Sequence, residues 1–423
     1  MNQRGLLRWG TLIARFLTGQ AAVQLVNLIT GFLILRFLSL HEYAVYTLAS
    51  LLQSVASVGS DLGVSNAVVS IGAPIREDVP AFSALLRSAL RLRRRFFARE
   101  LPVVVILAYV LLRGTEDRIS VMVAVILLAM VTAWVQQSVT LGVSVLNTHH
   151  DSSGLTRTGV GAALCRLILV AVFCRVVPHA LTALAINLAG MLLNALLLSR
   201  LCRRYVSPES RDEENFAPRL LAFARPLMPG VVYYMLQGQI SLFLLGIAGA
   251  TGPVAQVGAL GRLGQAIGIL TMVNAFFIQP YFARIGNYRD FTKRSLQTIA
   301  ALLLFFGAVT ASSWLFPGIW LALLGPKYGG LERELVIALA GAQLTVAGGI
   351  IFTMVIATRV TRGQWIQIPL GLGTQVAFLA ANGLKSTHDA LMMNLLPAVA
   401  VLALECGLLA RVLSSWRRHG RVV

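Results

Sequence analysis

Apolar residues run along this chain in blocks of about twenty, separated by short polar breaks. The opening pair of blocks sets the pattern. The chain is apolar from about residue 16 to residue 37, turns at 38–43, and is apolar again through Tyr46, Leu48, Leu51 and Leu52 to Asp61-Leu62-Gly63. Each half is long enough to cross ~30 Å of hydrocarbon at ~1.5 Å per residue. Polar residues interrupt both halves: Gln20, Gln24 and Asn27 in the first, Gln53 and Asp61 in the second. A helix facing lipid alone would not carry them, so one face of this pair is expected to look onto a polar interior.

Further apolar segments fall at roughly 97–112, 119–141, 160–177, 181–201, 223–248, 254–278, 296–315, 335–357, 365–384 and 390–413, which makes about twelve spans. The segment at 97–112 is short and is expected to extend back through Arg99 and Glu100, with those side chains snorkelling. Ahead of it, PAFSALLRSALRLRRRFFARE at 80–100 sets Phe82, Leu85, Leu86, Leu90, Phe96 and Phe97 beside a row of arginines. This reads as an amphipathic helix lying on the inner leaflet, either anchoring the chain or gathering anionic lipid headgroups. Pro226, Pro229 and Gly230 in the seventh span, and Pro280 after the eighth, are expected to bend those helices.

The polar stretch RLCRRYVSPESRDEENFAP, from Arg200 to Pro218, divides the spans six and six. The fold class expected is an all-α polytopic membrane protein with about twelve transmembrane helices in two six-helix lobes. The lobes are assigned to 1–201 and 219–414, with a cytoplasmic linker at 202–218 and a basic tail at 415–423. A faint repeat agrees: AVYTLASLLQ (44–53) aligns with QVGALGRLGQ (256–265) at Val45/Val257, Leu48/Leu260 and Gln53/Gln265. An even number of spans per half would relate the halves by an axis along the membrane normal.

Charge then orients the chain. With the N-terminus inside, the inner loops hold Arg87, Arg91, Arg93, Arg94, Arg95 and Arg99, then Arg157, then a group from Arg200 to Arg219, and so on to Arg417, Arg418 and Arg421. The outer loops carry one or two basic residues each. Both termini are therefore placed in the cytoplasm. Composition agrees: 57% of residues are hydrophobic and 13% charged, against about 25% charged in an ordinary soluble domain. The net charge of +19 is explained by inner-loop anchoring before nucleic-acid binding. Four cysteines without metal spacing read as reduced, buried packing residues.

Ionisable residues deep in a span are functional candidates. Arg166 in the fifth span and Arg262 in the eighth suggest a cationic cavity, with Arg15, Arg36, Arg225 and Arg284 at its mouths or snorkelling. Asp61 and Glu405 are candidates for H+ or Na+ coupling; the alternative for each is a salt bridge to an arginine. Among the amides, Gln24, Asn27, Gln53, Gln136, Gln237, Gln265 and Asn274 are candidates for contacting sugar hydroxyls, and interhelical hydrogen bonding explains the same residues. No nucleotide-binding, hydrolase or metalloprotease motif occurs, and His149-His150-Asp151 is too local to enclose an ion. An enzyme is disfavoured, and neither a catalytic residue, a metal nor an organic cofactor is expected.

RFLSLHEYAVYTLASLLQSV at 36–55 and SDLGVSNAVV at 60–69, with FARPLMPG at 223–230 and IQPYFARIGN at 278–287, resemble motifs of the multidrug/oligosaccharidyl-lipid/polysaccharide (MOP) exporter superfamily, in its polysaccharide branch of Wzx-type flippases. Ala44 departs from that pattern, which has glycine after the Glu-Tyr pair. The resemblance implies two six-helix lobes around a cationic cavity. Its implied substrate is a polyprenyl-diphosphate-linked oligosaccharide, flipped from the inner to the outer leaflet of a bacterial inner membrane. A polysaccharide polymerase and a chain-length regulator are the implied partners. The alternatives are a cation-coupled exporter of small molecules and a membrane glycan polymerase or ligase.

Overall fold

The computed structural model describes residues 3–207, 215–358 and 363–419, and within them the side chains of all but 3–18, 234, 276, 418 and 419. No strand occurs among these residues. The chain packs as two compact units, Met1–Gln239 with Gly246–Thr251, and Ile240–Leu245 with Gly252–Val423.

The first unit contains α1 (Gln3–Phe37), α2 (Leu40–Asp61), α3 (Val64–Gly72), α4 (Val79–Leu112), α5 (Ile119–Thr148), α6 (Ser152–Val176), α7 (Ala180–Cys202), α8 (Ala217–Ala224) and α9 (Met228–Gln237). Helix α10 (Ile240–Ile247) contributes to both units. The second continues with α11 (Thr251–Val273), a π-helical turn (Asn274–Ile278), α12 (Gln279–Phe282), α13 (Tyr288–Leu315), α14 (Pro317–Leu324), α15 (Glu332–Ala357), α16 (Gln367–Asn382) and α17 (Thr387–His419). Seven of these are long and apolar enough to cross a bilayer: α1 from Gly19, α5, α6, α7, α13, α15 and α17. Helices α9 and α10 count as one further, broken span. Helices α2, α4 and α11 have the length but are diluted by polar residues and glycine. With α16 they complete the expected layout.

Capping residues fix where the helices begin. Ser39 accepts a hydrogen bond from the Glu42 amide at 3.2 Å, Asp78 from Ala81 at 3.1 Å, and Asp151 from Gly154 at 2.9 Å. Ser39-Leu40-His41-Glu42 has the spacing of a capping box. Yet the Glu42 carboxylate turns away from its own helix. It accepts the Ala180 amide of α7 at 2.6 Å and lies 3.2 Å from His179 Nδ1. Breaks are equally local. Helix α2 stops where Leu62 and Gly63 adopt left-handed backbone, with φ of 42° and 88°. The seventh span breaks at Pro226 and again at Gly238. The eighth passes through the π-turn into Pro280.

The second span of each unit is therefore interrupted near its end, α2 before α3 and α11 before α12. Along the aligned segments, Val45/Val257, Leu48/Leu260 and Leu51/Leu263 are buried in both. In the first unit α1 packs on α6, α5 on α7, and α2 against α4 and α5. In the second, α15 and α16 pack on α17.

The structure corrects the reading of residues 80–100. They form no separate helix on the membrane surface but the first part of a single 34-residue helix, α4. Its apolar stripe is buried: Phe82, Leu85 and Leu92 pack with Val64, Val68, Leu141, Phe216 and Leu220. Arg93, counted above as a loop anchor, is fully buried on the same stripe. The cysteine reading also needs correction, since Cys174 is buried but Cys406 is exposed. His149 and Asp151 serve local structure: His149 meets Phe82 edge to face and lies tilted over Tyr205, and Asp151 caps α6.

Candidate functional site

Four helices of the first unit bring their polar side chains to one place. Helix α1 supplies Asn27, α2 Gln53, α6 Arg166 and α7 Asn187. Arg166 donates from Nη1 to Asn187 Oδ1 at 3.0 Å and from Nη2 to Asn27 Oδ1 at 3.1 Å. Asn187 Nδ2 in turn donates to Gln53 Oε1 at 3.2 Å. The chain of donors fixes the orientation of the Asn187 amide, because its oxygen faces the guanidinium and its nitrogen faces Gln53.

The local sequence makes this convergence possible. On α1, Gln20, Gln24 and Asn27 recur at intervals of four and three and share a face. On α7, Asn187, Gly190 and Asn194 do the same. Gly190 matters most here. A Cβ built on it would lie 3.2 Å from Arg166 Cβ and 3.3 Å from both Cγ and Cδ. The arginine stem thus lies flat across a glycine, and a larger residue would push the guanidinium out of register. On the neighbouring face, Gly159 of α6 receives Val23 of α1 at 3.2 Å from its notional Cβ, which seats α1 against α6.

The carboxamides orient the Arg166 guanidinium and carry no charge themselves. Hydrogen bonds from an arginine to phosphate oxygens are about twice as strong as those to neutral acceptors. An incoming phosphate can therefore displace the amide oxygens from donors already in position.

Arg93 is built differently. Its Nε lies 3.4 Å from Asp61 Oδ1, and Nη1 donates to the Gln137 carbonyl at 3.1 Å and to Ser65 Oγ at 3.4 Å. Asp61 also accepts the Ser65 amide at 3.2 Å and the Ser65 hydroxyl. The carboxylate therefore ties the break after α2 to α4 and takes up the charge of a fully buried arginine. For Asp61 the structure has the salt-bridge alternative. Arg93 went unrecognised because it stands in a run of arginines. The signal was present: Phe82, Leu85, Ala89, Arg93 and Phe97 recur at three and four residues, which sets Arg93 on the apolar face.

Glu405, in the second unit, is fully buried on α17. Gln367 Nε2 donates to its Oε1, and Gln364 Nε2 to its Oε2 at 3.4 Å. No cation pairs with it among the described residues.

The remaining candidates are dispersed. Arg262 is half-buried and donates at 3.3 Å to Gln265, three residues on in the same helix. Arg36, Arg225 and Arg284 are exposed at or just beyond the ends of α1, α8 and α12. The Arg15 side chain lies outside the described residues. Gln24 and Gln237 are half-buried, and Gln136 donates to Thr140 at 3.4 Å. Asn274 is buried, and α15 engages both ends of its amide: it donates to the Gly349 carbonyl at 3.3 Å and accepts from Thr353 at 2.9 Å. It braces the π-turn.

No family model matches the sequence, and no curated protein does. Solved structures do match. A multidrug resistance MATE family transporter of the MOP superfamily, in an inward-facing conformation, superposes with a TM-score of 0.67 at 16% identity, over 94% of this chain and 96% of that one. The fold is that of the MATE transporters. A second MATE structure, that of a point mutant, has a TM-score of 0.56 at 14% identity, over 96% of each chain. A MOP superfamily transporter from Pyrococcus furiosus, described as having a binding pocket of reversed polarity that suggests a different function, has a TM-score of 0.55 at 14% identity, over 96% of this chain and 95% of that one. The MATE fold and the apolar helices make this a multi-pass membrane protein of transporter architecture.

Proposed function

We propose that the chain is an exporter of the MOP superfamily that moves an anionic, lipid-linked substrate across the bacterial inner membrane, with both termini in the cytoplasm. Its substrate is an oligosaccharide joined by diphosphate to a polyprenyl lipid. The observation that carries the reading is Arg166, set within an apolar unit and oriented by carboxamides from α1 and α7. A diphosphate needs such donors to leave water for a low-dielectric space. Amides near the guanidinium, Asn27, Gln53 and Asn187, suit the hydroxyls of the first sugars. The polyprenyl tail stays in the lipid. A polysaccharide polymerase and a chain-length regulator would take the product.

A second reading has its own support. The inward-facing neighbour of shared fold is named as a multidrug resistance transporter, which favours the reading as an exporter of small molecules. The Pyrococcus furiosus transporter, with its reversed pocket polarity, supports the idea that one fold serves differently charged cargo. In either reading Glu405 is the better coupling group, because Asp61 is engaged by Arg93 whereas Glu405 is held by amides alone.

Translocation of a polyprenyl-diphosphate glycan by the purified chain in vesicles tests the assignment. Arg166→Ala is expected to reduce it at least tenfold with the protein still inserted. Unchanged glycan translocation in that variant, or drug efflux that responds to substitution at Arg166 while no glycan moves, would favour the small-molecule reading.

A further inference from the structure

A crevice of about 190 Å³ opens between the middle of α4 and the start of α8, lined by Ser88, Arg91, Leu92, Arg95, Asn215 and Ala217. It lies wholly within the first unit and shares no residue with the Arg166 cluster. Ser88, Arg91 and Arg95 sit at intervals of three and four and so share one face of α4. Arg91 and Arg95 are exposed, and neither pairs with a carboxylate among the described residues. Ser88 is buried at 1% exposure, yet its hydroxyl has no hydrogen-bond partner. A helical serine ordinarily satisfies itself by donating to the carbonyl four residues back, as Ser83 of this same helix does to Val79 at 2.7 Å. The Ser88 hydroxyl forgoes that bond, and Ser88 forms part of the crevice wall. The opening turn of α8, whose Ala217 amide donates to Asn215 Oδ1 at 3.1 Å, adds the partial positive charge of a helix N-terminus.

Depth decides the kind of ligand. About twenty residues of helix cross the hydrocarbon, so counting back from Leu112 places the membrane boundary near Arg93. The crevice then lies at the level of the lipid phosphates, at the arginine-rich end of α4. Two guanidinium groups, a buried hydroxyl without a partner and a helix start together match the oxygens of one phosphate.

We infer that this crevice binds the phosphate of an anionic lipid headgroup from the adjoining leaflet. The site is independent of the transported substrate, and a failure here leaves the Arg166 reading untouched.

The test uses the full chain extracted from vesicles of phosphatidylglycerol and phosphatidylcholine in equal amounts, with retained lipid counted by native mass spectrometry. Wild type is expected to retain phosphatidylglycerol in preference. Arg91→Gln with Arg95→Gln is expected to lower that preference about tenfold, and Ser88→Ala, which leaves the charge unchanged and removes one neutral donor, about fivefold. Arg289→Gln with Lys293→Gln, an equal loss of exposed charge on α13, is expected to leave it unchanged. Thermal melting checks that each variant is folded, and Ser88→Ala decides the matter should the double variant fail. Four results would overturn the inference. One is equal retention of both lipids by wild type. Another is an equal loss in the α13 control. The third is retention of inorganic phosphate by lipid-free protein without preference for the anionic lipid, which would make the ligand a soluble phosphate. A preference seen only after Asp212, Glu213 and Glu214 are neutralised would likewise overturn it, giving the crevice to the chain's own acidic run.

Discussion

Asp61→Asn is expected to destabilise the protein more than Arg93→Met, although both remove the same ion pair. The difference follows from what each substitution leaves behind. The Arg93 side chain is 0% exposed and the Asp61 side chain 21% exposed. In Asp61→Asn a full positive charge stays in the interior with only neutral acceptors. Orphaning a buried charge in this way costs about 3–5 kcal/mol. In Arg93→Met the surviving carboxylate keeps the Ser65 amide and hydroxyl and its contact with water. The loss there is about 2 kcal/mol, close to one charge-assisted hydrogen bond. Removing both charges leaves nothing orphaned, so the double variant is expected to lie within about 2 kcal/mol of wild type and above Asp61→Asn alone. Unfolding of the full chain in mixed micelles, followed by circular dichroism, gives the three values, and transport assays on the same preparations separate stability from coupling. A pair that is purely structural predicts that the double variant recovers transport together with stability. Arg93→Met proving the more damaging change would refute the reasoning. So would a stable double variant that no longer transports, which would return Asp61 to the coupling step.

Gly190→Leu is expected to leave insertion and helicity intact while lowering translocation at least tenfold, because the new side chain collides with the stem of Arg166; Gly230→Ala, with no atom within 4 Å of the added Cβ, serves as the silent control. Normal transport by Gly190→Leu would show that the position of the guanidinium does not matter. Asn274→Leu removes the bonds to Thr353 and the Gly349 carbonyl, while Thr353 keeps its bond to the Ile350 carbonyl, and is expected to cost about 1–2 kcal/mol in micelle unfolding, with no change in glycan selectivity. A specific loss of glycan recognition in a stable Asn274→Leu protein would instead restore its sugar-binding role. Glu405→Gln preserves shape and is expected to abolish the response of transport to an imposed proton gradient while downhill exchange continues; an unchanged gradient response would remove Glu405 from coupling.

Much of the architecture was legible because the bilayer imposes long apolar blocks whose ends are marked by arginine, proline and glycine. The breaks at Pro226 and Pro280 could be read for the same reason, since proline acts on its own turn. In the candidate site, Arg166, Asn27 and Gln53 could each be picked out as polar groups in apolar surroundings. Their meeting could not, since it depends on α1, α2, α6 and α7 crossing near a glycine that carries no chemical signal of its own. Gly190 looks like any other small residue of a membrane helix until the arginine is seen lying across it. Residues 80–100 misled for the opposite reason. Their charge density resembles a surface helix, and only packing against α3, α5 and α8 distinguishes the buried Arg93 from its exposed neighbours. Likewise Arg166 and Asn274 are both polar groups in spans, but one is held at its tip and the other is enclosed on all sides.

The carboxylate of Glu42 closes the opening turn of α7 while its backbone amide is taken by Ser39 at the start of α2, so one residue serves two helix starts, its own and one 138 residues away. Proteins of this fold diverge to 14–16% identity. Through such drift, position 42 is not free to wander alone: a neutral residue there leaves the first amide of α7 bare unless position 179 acquires a capping side chain of its own. The two sites are therefore expected to change hands together, serine, threonine or aspartate appearing before α7 in just those descendants that have lost the glutamate after the first turn of the chain.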